Sequence, residues 1–192
     1  MSTIDAVSIK RVRRKKLIRE AEGYLDLIMV FDDKWGLDDP LREQIADRVI
    51  ECLGRIKNPL GHKPHILFLK GQACIACKRH EDAIHHLQQA AQLDNENIHV
   101  HIALAWCYKR TDRLDLSIES MKSAICVDKS SAIAHYNLAC YLALAKDAPS
   151  AIMHLTIALD LNGKFRAMVA RESDFDQIRD DPRFQAATSL IV

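Results

Sequence analysis

Three residues in the first half of the chain have the types and spacing of metal ligands. Cys74, Cys77 and His80 follow one another at three-residue steps in the stretch CIACKRH, which places them along one face of a helix. A structural zinc ion normally takes four protein ligands, and the chain contains no second Cys-x-x-Cys. Haem attachment would require a histidine directly after Cys77, where Lys78 stands. We therefore expect packed thiols, with no metal and no cofactor, and a metal-dependent module through these three residues is the weaker alternative.

A basic run, Lys10–Lys16 (KRVRRKK), is the second stretch with a chemical signature. Residues 1–20 carry seven positive and two negative side chains, whereas the whole chain has a formal net charge of +1. Such a run is able to bind nucleic acid or an anionic membrane surface. No aromatic residue interrupts it, so base stacking is not indicated. The solvated face of a helix is the simpler interpretation, and an adaptor acting through this run is the alternative.

The remaining polar residues do not form a recognisable catalytic set. His85 and His86 are adjacent, so on a helix their side chains point to different faces. No glycine-rich phosphate loop and no local carboxylate–histidine–nucleophile arrangement is present in the sequence. We expect a protein that is not an enzyme and has no small-molecule substrate.

The chain carries no signal for export or membrane insertion. Its first residues are polar and then basic, and no apolar run approaches 18 residues. Six cysteines without an export signal are typical of reduced thiols rather than of a disulfide framework. The expected location is cytoplasmic.

The amino-acid composition favours helices, and these helices must position the cysteines, histidines and basic residues described above. Only six glycines and five prolines occur in 192 residues, so long uninterrupted helices are allowed. Pro40 follows Asp38-Asp39, and Pro149 follows Ala148, both as expected at the first turn of a helix. Apolar residues recur with a period near 3.6, and no window alternates convincingly over the length of a strand. The predicted fold class is all-α.

Small residues recur every 34 residues. Aligned on Ala83, Ser117 and Ala151, three copies hold a small residue twelve positions earlier and another seven positions later. A large apolar residue stands four positions after the aligned one. A position that stays small at a fixed period is expected where two helices cross closely. The three further columns are Gly71, Ala105 and Ala139; Leu87, Met121 and Leu155; and Ala90, Ala124 and Ala158.

In this register the chain resembles the tetratricopeptide-repeat family, whose unit is a 34-residue helix–turn–helix. The copies run over Pro64–Asn97, Ile98–Ser131 and Ala132–Phe165, so the repeats cover residues 64–165. Two columns depart from the family pattern: Lys70 stands where leucine is usual, and no copy has a proline near its end. The resemblance implies a solenoid of helix pairs that forms a right-handed superhelix.

The segments on either side of the repeats are expected to cap them. Residues 1–58 should form a helical pair, with helices over 9–33 and 40–57, as a divergent repeat or a cap. Residues 166–192 contain ESDFDQIRDDPRFQAATSLIV, which resembles the tail that closes many bacterial tetratricopeptide arrays and so indicates a bacterial source. A stacked array exposes an apolar face at each end, which makes such caps a physical requirement.

The resemblance also implies a concave groove lined by the first helix of each repeat. The lysine and asparagine clamp by which some family members hold the C-terminal carboxylate of chaperones is absent here. We therefore expect a protein-interaction module, an adaptor, co-chaperone or assembly factor, that binds an apolar or amphipathic peptide or helix. Self-association is left open. The expected partner-binding residues are Phe68, Leu69, Gln72, Ile102, Trp106, Lys109, Arg110, Tyr136 and Asn137, with Lys109 and Arg110 facing an acidic flank of the partner.

Overall fold

Helices dominate the computed structural model, which describes residues 3–189. Residues 1–2 and 190–192, at the ends of the predicted caps, lie outside this description. The side chains of residues 3–7, 31–35 and 60 also lie outside it. No strand occurs within the described residues, so the all-α class is confirmed. Short 3-10 helices cover Leu60–His62, Gly163–Phe165 and Ser173–Ile178. The α-helices are α1 (Thr3–Trp35), α2 (Asp39–Gly54), α3 (Lys63–Ala76), α4 (His80–Leu93), α5 (Ile98–Arg110), α6 (Leu114–Val127), α7 (Ala132–Leu144), α8 (Ala148–Leu161), α9 (Arg166–Val169) and α10 (Pro182–Ser189).

The chain divides into two compact units, Met1–Asn95 and Glu96–Val192. In the first, α1 packs on α2, α2 on α3 and α3 on α4. Ala21, Ala46, Val49 and Ala73 are fully buried where these helices meet. Asp38 caps α2, because its carboxylate accepts a hydrogen bond of 2.9 Å from the backbone N–H of Leu41. The predicted division into residues 1–58, 64–165 and 166–192 stays a prediction.

Within each of the three repeats the second helix crosses the first at the small-residue column. A Cβ atom placed on Gly71 would lie 2.7 Å from Cγ of Leu87, which is closer than real Cβ contacts allow. The residues in the same two columns of the other repeats are also fully buried, namely Ala105, Met121, Ala139 and Leu155. The side chain stays small at this column because the large residue of the second helix occupies the space above it.

The turn between the two helices of each repeat has a backbone conformation that the sequence did not reveal. Lys78, Asp112 and Lys146, again 34 residues apart, have φ values of 59°, 57° and 63°. The residue after each donates its N–H to a carbonyl five residues back, over 2.9 Å in all three repeats. This is the hydrogen bond of a left-handed helix C-cap, a position that usually carries glycine. Because lysine and aspartate occupy these positions, the residue types gave no sign of this turn.

The second unit holds two repeats and the C-terminal tail, residues 166–189. Here α5 packs on α6, α6 on α7 and α7 on α8. The tail turns back so that the 3-10 helix Ser173–Ile178 lies against α7 and α10 lies against α8. Its apolar side chains enter the same buried cluster as Leu138, Leu142 and Leu159; they are Val169, Phe175, Ile178 and Phe184.

A pair of histidines joins α7 to α8 in the third repeat. Nε2 of His135 donates to the carbonyl of Lys129 (3.2 Å), and Nδ1 of His135 shares a hydrogen bond with Nδ1 of His154 (2.9 Å). Burial lowers the pKa of His154, with further lowering from His135 and Lys122. This lowering favours the neutral form of the His154 ring.

Acid is expected to destabilise this pair. Because the pKa of His154 is lower in the folded chain, the unfolded chain takes up the proton first as the pH falls below its ordinary value of about 6.5. The free energy of unfolding should then decrease between about pH 7 and pH 5, measured by urea titration. His154→Asn, which keeps a donor but does not titrate, should weaken this decrease. Burial also lowers the pKa of His86, but His86 contributes equally in the wild type and in His154→Asn. Plots of the free energy of unfolding against pH that run parallel for these two proteins would contradict the role of His154.

Candidate functional site

One face of α5 carries an exposed aromatic side chain next to a cation. Ile102, Trp106 and Arg110 are spaced four residues apart and so share a face of the helix. Trp106 is 38% exposed, and the Arg110 guanidinium lies 5.7 Å from the centre of its indole ring. Ile102 is half-buried against the core of the second unit. This arrangement offers an amphipathic surface with a cation–π pair at its centre.

Lys109 contacts the protein's own tail, whereas the sequence predicted that it faces an acidic flank of a partner. Its ammonium group donates to the carboxylate of Asp174 in the tail, and it also lies 5.6 Å from the ring centre of Tyr141. The side chain of Asp174 is 10% exposed, so the ion pair is largely shielded from water. The acidic group expected from a partner is thus supplied by the protein's own chain.

Tyr136 is covered in this structure, which corrects its expected place on an open wall. It is only 2% exposed, because Phe165 stacks on its ring (centroids 4.8 Å apart) and Phe175 meets it edge-on (5.8 Å). Burial raises the pKa of the Tyr136 hydroxyl above its ordinary value. Phe175 belongs to the tail, which is distant from Tyr136 in the sequence, so no local sequence pattern predicted that Tyr136 is buried.

The buried hydroxyl of Tyr136 has no hydrogen-bond partner within the described part of the chain. An unsatisfied buried hydroxyl lowers stability relative to an apolar group of the same shape. We expect Tyr136→Phe to raise the free energy of unfolding by about 1 kcal/mol, measured by urea denaturation monitored by circular dichroism. Lower stability in this variant would show that the hydroxyl is bonded in solution.

The other expected groove residues differ in exposure. Leu69 is 5% exposed and belongs to the core of the first unit, which corrects its expected place on the surface. Phe68 packs against the same core and is half-buried. Gln72 and Asn137 are also half-buried, each in its own unit. Their assignment to a binding surface stays a prediction.

The cysteine–histidine series has the character of packed side chains. Cys74 is 2% exposed, and the thiol of Cys77 lies 3.9 Å from the carbonyl oxygen of Arg42. Burial raises the pKa of both thiols, which disfavours the thiolate that a metal ion needs. Among the described residues their ligand atoms and those of His80 do not converge.

A second set of ligand types does converge, where the tail meets α7. One ligand atom from each of Cys140, Glu172 and Asp174 lies within 4.8 Å of the others. The Asp174 carboxylate already holds the Lys109 ammonium group, and burial raises the pKa of the Cys140 thiol. A cation is therefore present at this position as a side chain, and we assign no metal to it.

The basic run lies on the first half of α1 and is mostly solvated. Arg14 is half-buried and donates to the carbonyl of Asn58 (3.2 Å). Ile9 and Val12 are exposed on the same stretch. The exposed cations are Lys10, Arg11, Arg13, Lys15 and Lys16.

Comparison with known proteins agrees with this repeat architecture. A family model described as tetratricopeptide repeat matches residues 75–124, which span most of the first repeat and most of the second. The matched segment is thus a tetratricopeptide-repeat segment, and it lies within the repeats predicted over residues 64–165. No curated protein matches the chain significantly. Tetratricopeptide repeats are scaffolds for protein–protein interaction, and nothing in the family match indicates catalysis.

Several solved structures share the fold at low sequence identity. The crystal structure of MamA is 18% identical with a TM-score of 0.58, covering 85% of this chain and 96% of that one. MamA from residue 41 to its end, from Desulfovibrio magneticus RS-1, is 14% identical with a TM-score of 0.58, covering 89% and 94%. YrrB, titled as a tetratricopeptide-repeat protein with an unusual peptide-binding site, is 17% identical with a TM-score of 0.56, covering 79% and 74%. At these identities the likeness shows the fold.

Membrane insertion through a helix has no candidate in the described residues. None of the helices there is both long enough and apolar enough to cross a bilayer.

Proposed function

We propose that this protein is an interaction module that binds an apolar or amphipathic segment of another protein on the face of α5 that carries Ile102, Trp106 and Arg110. Its role is that of an adaptor, co-chaperone or assembly factor in the cytoplasm. The observation that carries the proposal is Trp106, a large indole left 38% exposed beside Arg110. Tryptophan and arginine are the residue types that most often dominate the energy of an interface.

The surroundings of Trp106 favour a partner with an apolar face and an acidic edge. Ile102 extends the apolar surface by one turn, and exposed Arg110 adds a positive charge at the end of the helix. An amphipathic helix or an extended apolar peptide has the complementary character. Lys109 does not contribute its charge to this surface, because Asp174 neutralises it.

A pulldown from native cytosol followed by mass spectrometry tests the proposal. Wild-type protein should retain a partner that Trp106→Ala loses. Leu116→Ala is the matched control, because Leu116 is 40% exposed on α6 of the same unit and should leave capture unchanged.

Salt separates this function from an adaptor role of the basic run. A partner held by Lys10–Lys16 through phosphate groups should elute steeply as salt rises from 50 to 200 mM, because bound cations release counterions. A partner held by the α5 face should remain bound. Elution by salt, together with retention by Trp106→Ala, would assign the interaction to α1 and contradict the proposal.

A further inference from the structure

The tail meets the second unit through a short segment with an acidic residue followed directly by an aromatic one. Asp174 receives the Lys109 ammonium group, and Phe175, which is fully buried, packs edge-on against Tyr136. Two further tail residues, Ile178 and Phe184, are buried in the same cluster. The segment thus combines one shielded ion pair with an aromatic anchor, which is the composition of a bound peptide ligand.

The tail holds its own shape through contacts within itself. The Arg179 guanidinium donates to the carbonyls of Val169 (3.2 Å) and Glu172 (2.6 Å) and to the Asp176 carboxylate (2.8 Å). The side-chain amide of Gln185 donates to the carbonyl of Arg179 (3.2 Å). These bonds join tail residues to one another and do not involve the repeats, so releasing the tail does not require breaking them.

The surface of α5 and α7 that the tail covers, called the seat below, is not completely matched by the tail. The buried hydroxyl of Tyr136 finds no partner among the described residues, and the Cys140 thiol lies beside the carboxylates of Glu172 and Asp174, the second of which receives the Lys109 ammonium group. Burying an unsatisfied hydroxyl costs free energy, which weakens the docked state. A segment of similar chemistry that also offers an acceptor to Tyr136 would bind the same seat better.

We infer that residues 172–178 are a built-in ligand, and that the surface of α5 and α7 beneath them accepts a partner segment in which an acidic residue is followed directly by an aromatic one. This inference rests on the proposed interaction function and specifies the partner's chemistry. Lys109 recognises the acidic residue, and the Tyr136 ring recognises the aromatic one. Displacement of the tail opens this seat, whereas Trp106 is 38% exposed with the tail in place.

The test compares tail release and peptide binding in the full-length chain. The probe is a fluorescein-labelled peptide with the sequence of residues 171–185 of this protein, RESDFDQIRDDPRFQ. In the wild type the tethered tail should exclude the probe, because tethering gives it a millimolar effective concentration. Asp174→Lys places a second cation against Lys109, so hydrogen exchange at residues 172–178 should accelerate at least about tenfold and the probe should bind at least about tenfold more tightly.

Two controls separate release from an unspecific effect of charge. Asp180→Lys makes the same charge change on an exposed tail residue and should behave like the wild type. The double variant Lys109→Asp with Asp174→Lys restores the pair with reversed charges and should close the seat again. A probe in which both its aspartate at position 174 and its phenylalanine at position 175 are replaced by alanine should not bind any variant.

Asp174→Asn provides a second route if Asp174→Lys folds poorly, because it removes the tail's charge at this position while Lys109 stays in place to receive the aspartate of the probe. Wild-type exchange rates in Asp174→Lys, or fast exchange without probe binding, would overturn the inference. Loss of helicity in both variants would also overturn it, since the tail would then be part of the core. Dimers in light scattering that exclude the probe would assign the seat to a second copy's tail instead. None of these readouts involves Trp106, so failure here is distinguishable from failure of the proposed function.

Discussion

Replacing Trp106 by alanine is expected to weaken partner binding by at least about 2 kcal/mol, which corresponds to about thirtyfold in Kd. The indole supplies a large rigid surface that a partner would cover, and Arg110 orients it through a cation–π contact. Isothermal titration calorimetry with the partner captured by the wild type measures this change. The same variant should change the free energy of unfolding by less than about 1 kcal/mol, because Trp106 lies outside the buried cluster of the second unit.

The two measurements on Trp106→Ala decide between an anchor and a structural residue. A loss of about 3–5 kcal/mol in stability is typical of a truncated core aromatic and would make the indole structural. Leu116→Ala removes a comparably exposed apolar side chain from the same unit and should leave the Kd unchanged. Equal weakening by both variants would indicate a broad apolar contact without an anchor at Trp106.

Replacing Ala139 by leucine is expected to lower the free energy of unfolding by about 1–3 kcal/mol through overpacking. Ala139 is fully buried on α7, and Leu155, also fully buried, stands in the column whose first-repeat member is Leu87. In that first repeat a single Cβ atom on Gly71 would already approach Cγ of Leu87 to 2.7 Å. A leucine at the corresponding place in the third repeat therefore has no room unless α7 and α8 move apart.

Chemical denaturation monitored by circular dichroism measures this effect. Ala186→Leu is the matched control, because it makes the same substitution at an exposed position of α10 and should change stability by no more than about 0.5 kcal/mol. An unchanged denaturation midpoint in Ala139→Leu would mean that the helices of the third repeat cross elsewhere.

The repeat register was readable from the sequence because it depends on contacts between neighbouring helices. A fixed column of small residues and its large counterpart sixteen positions later describe one helix crossing, and each repeat contains both partners of that crossing. The same period appears in the structure at the left-handed turn residues Lys78, Asp112 and Lys146, although their types gave no signal. Local packing sets the backbone there strongly enough to place ordinary residues where glycine is usual.

The sequence by itself determined the all-α class, the helix pairs and the side chains that lie on the first helix of each repeat. Only the tertiary structure decided which of those side chains are available. Trp106 and Tyr136 are both large aromatics assigned to the groove, yet the first is 38% exposed and the second 2%. The difference comes from the path of the tail, which brings Asp174 to Lys109 across 65 residues of chain. Such pairing depends on contacts between distant segments, and these leave no period in the sequence from which they could be read.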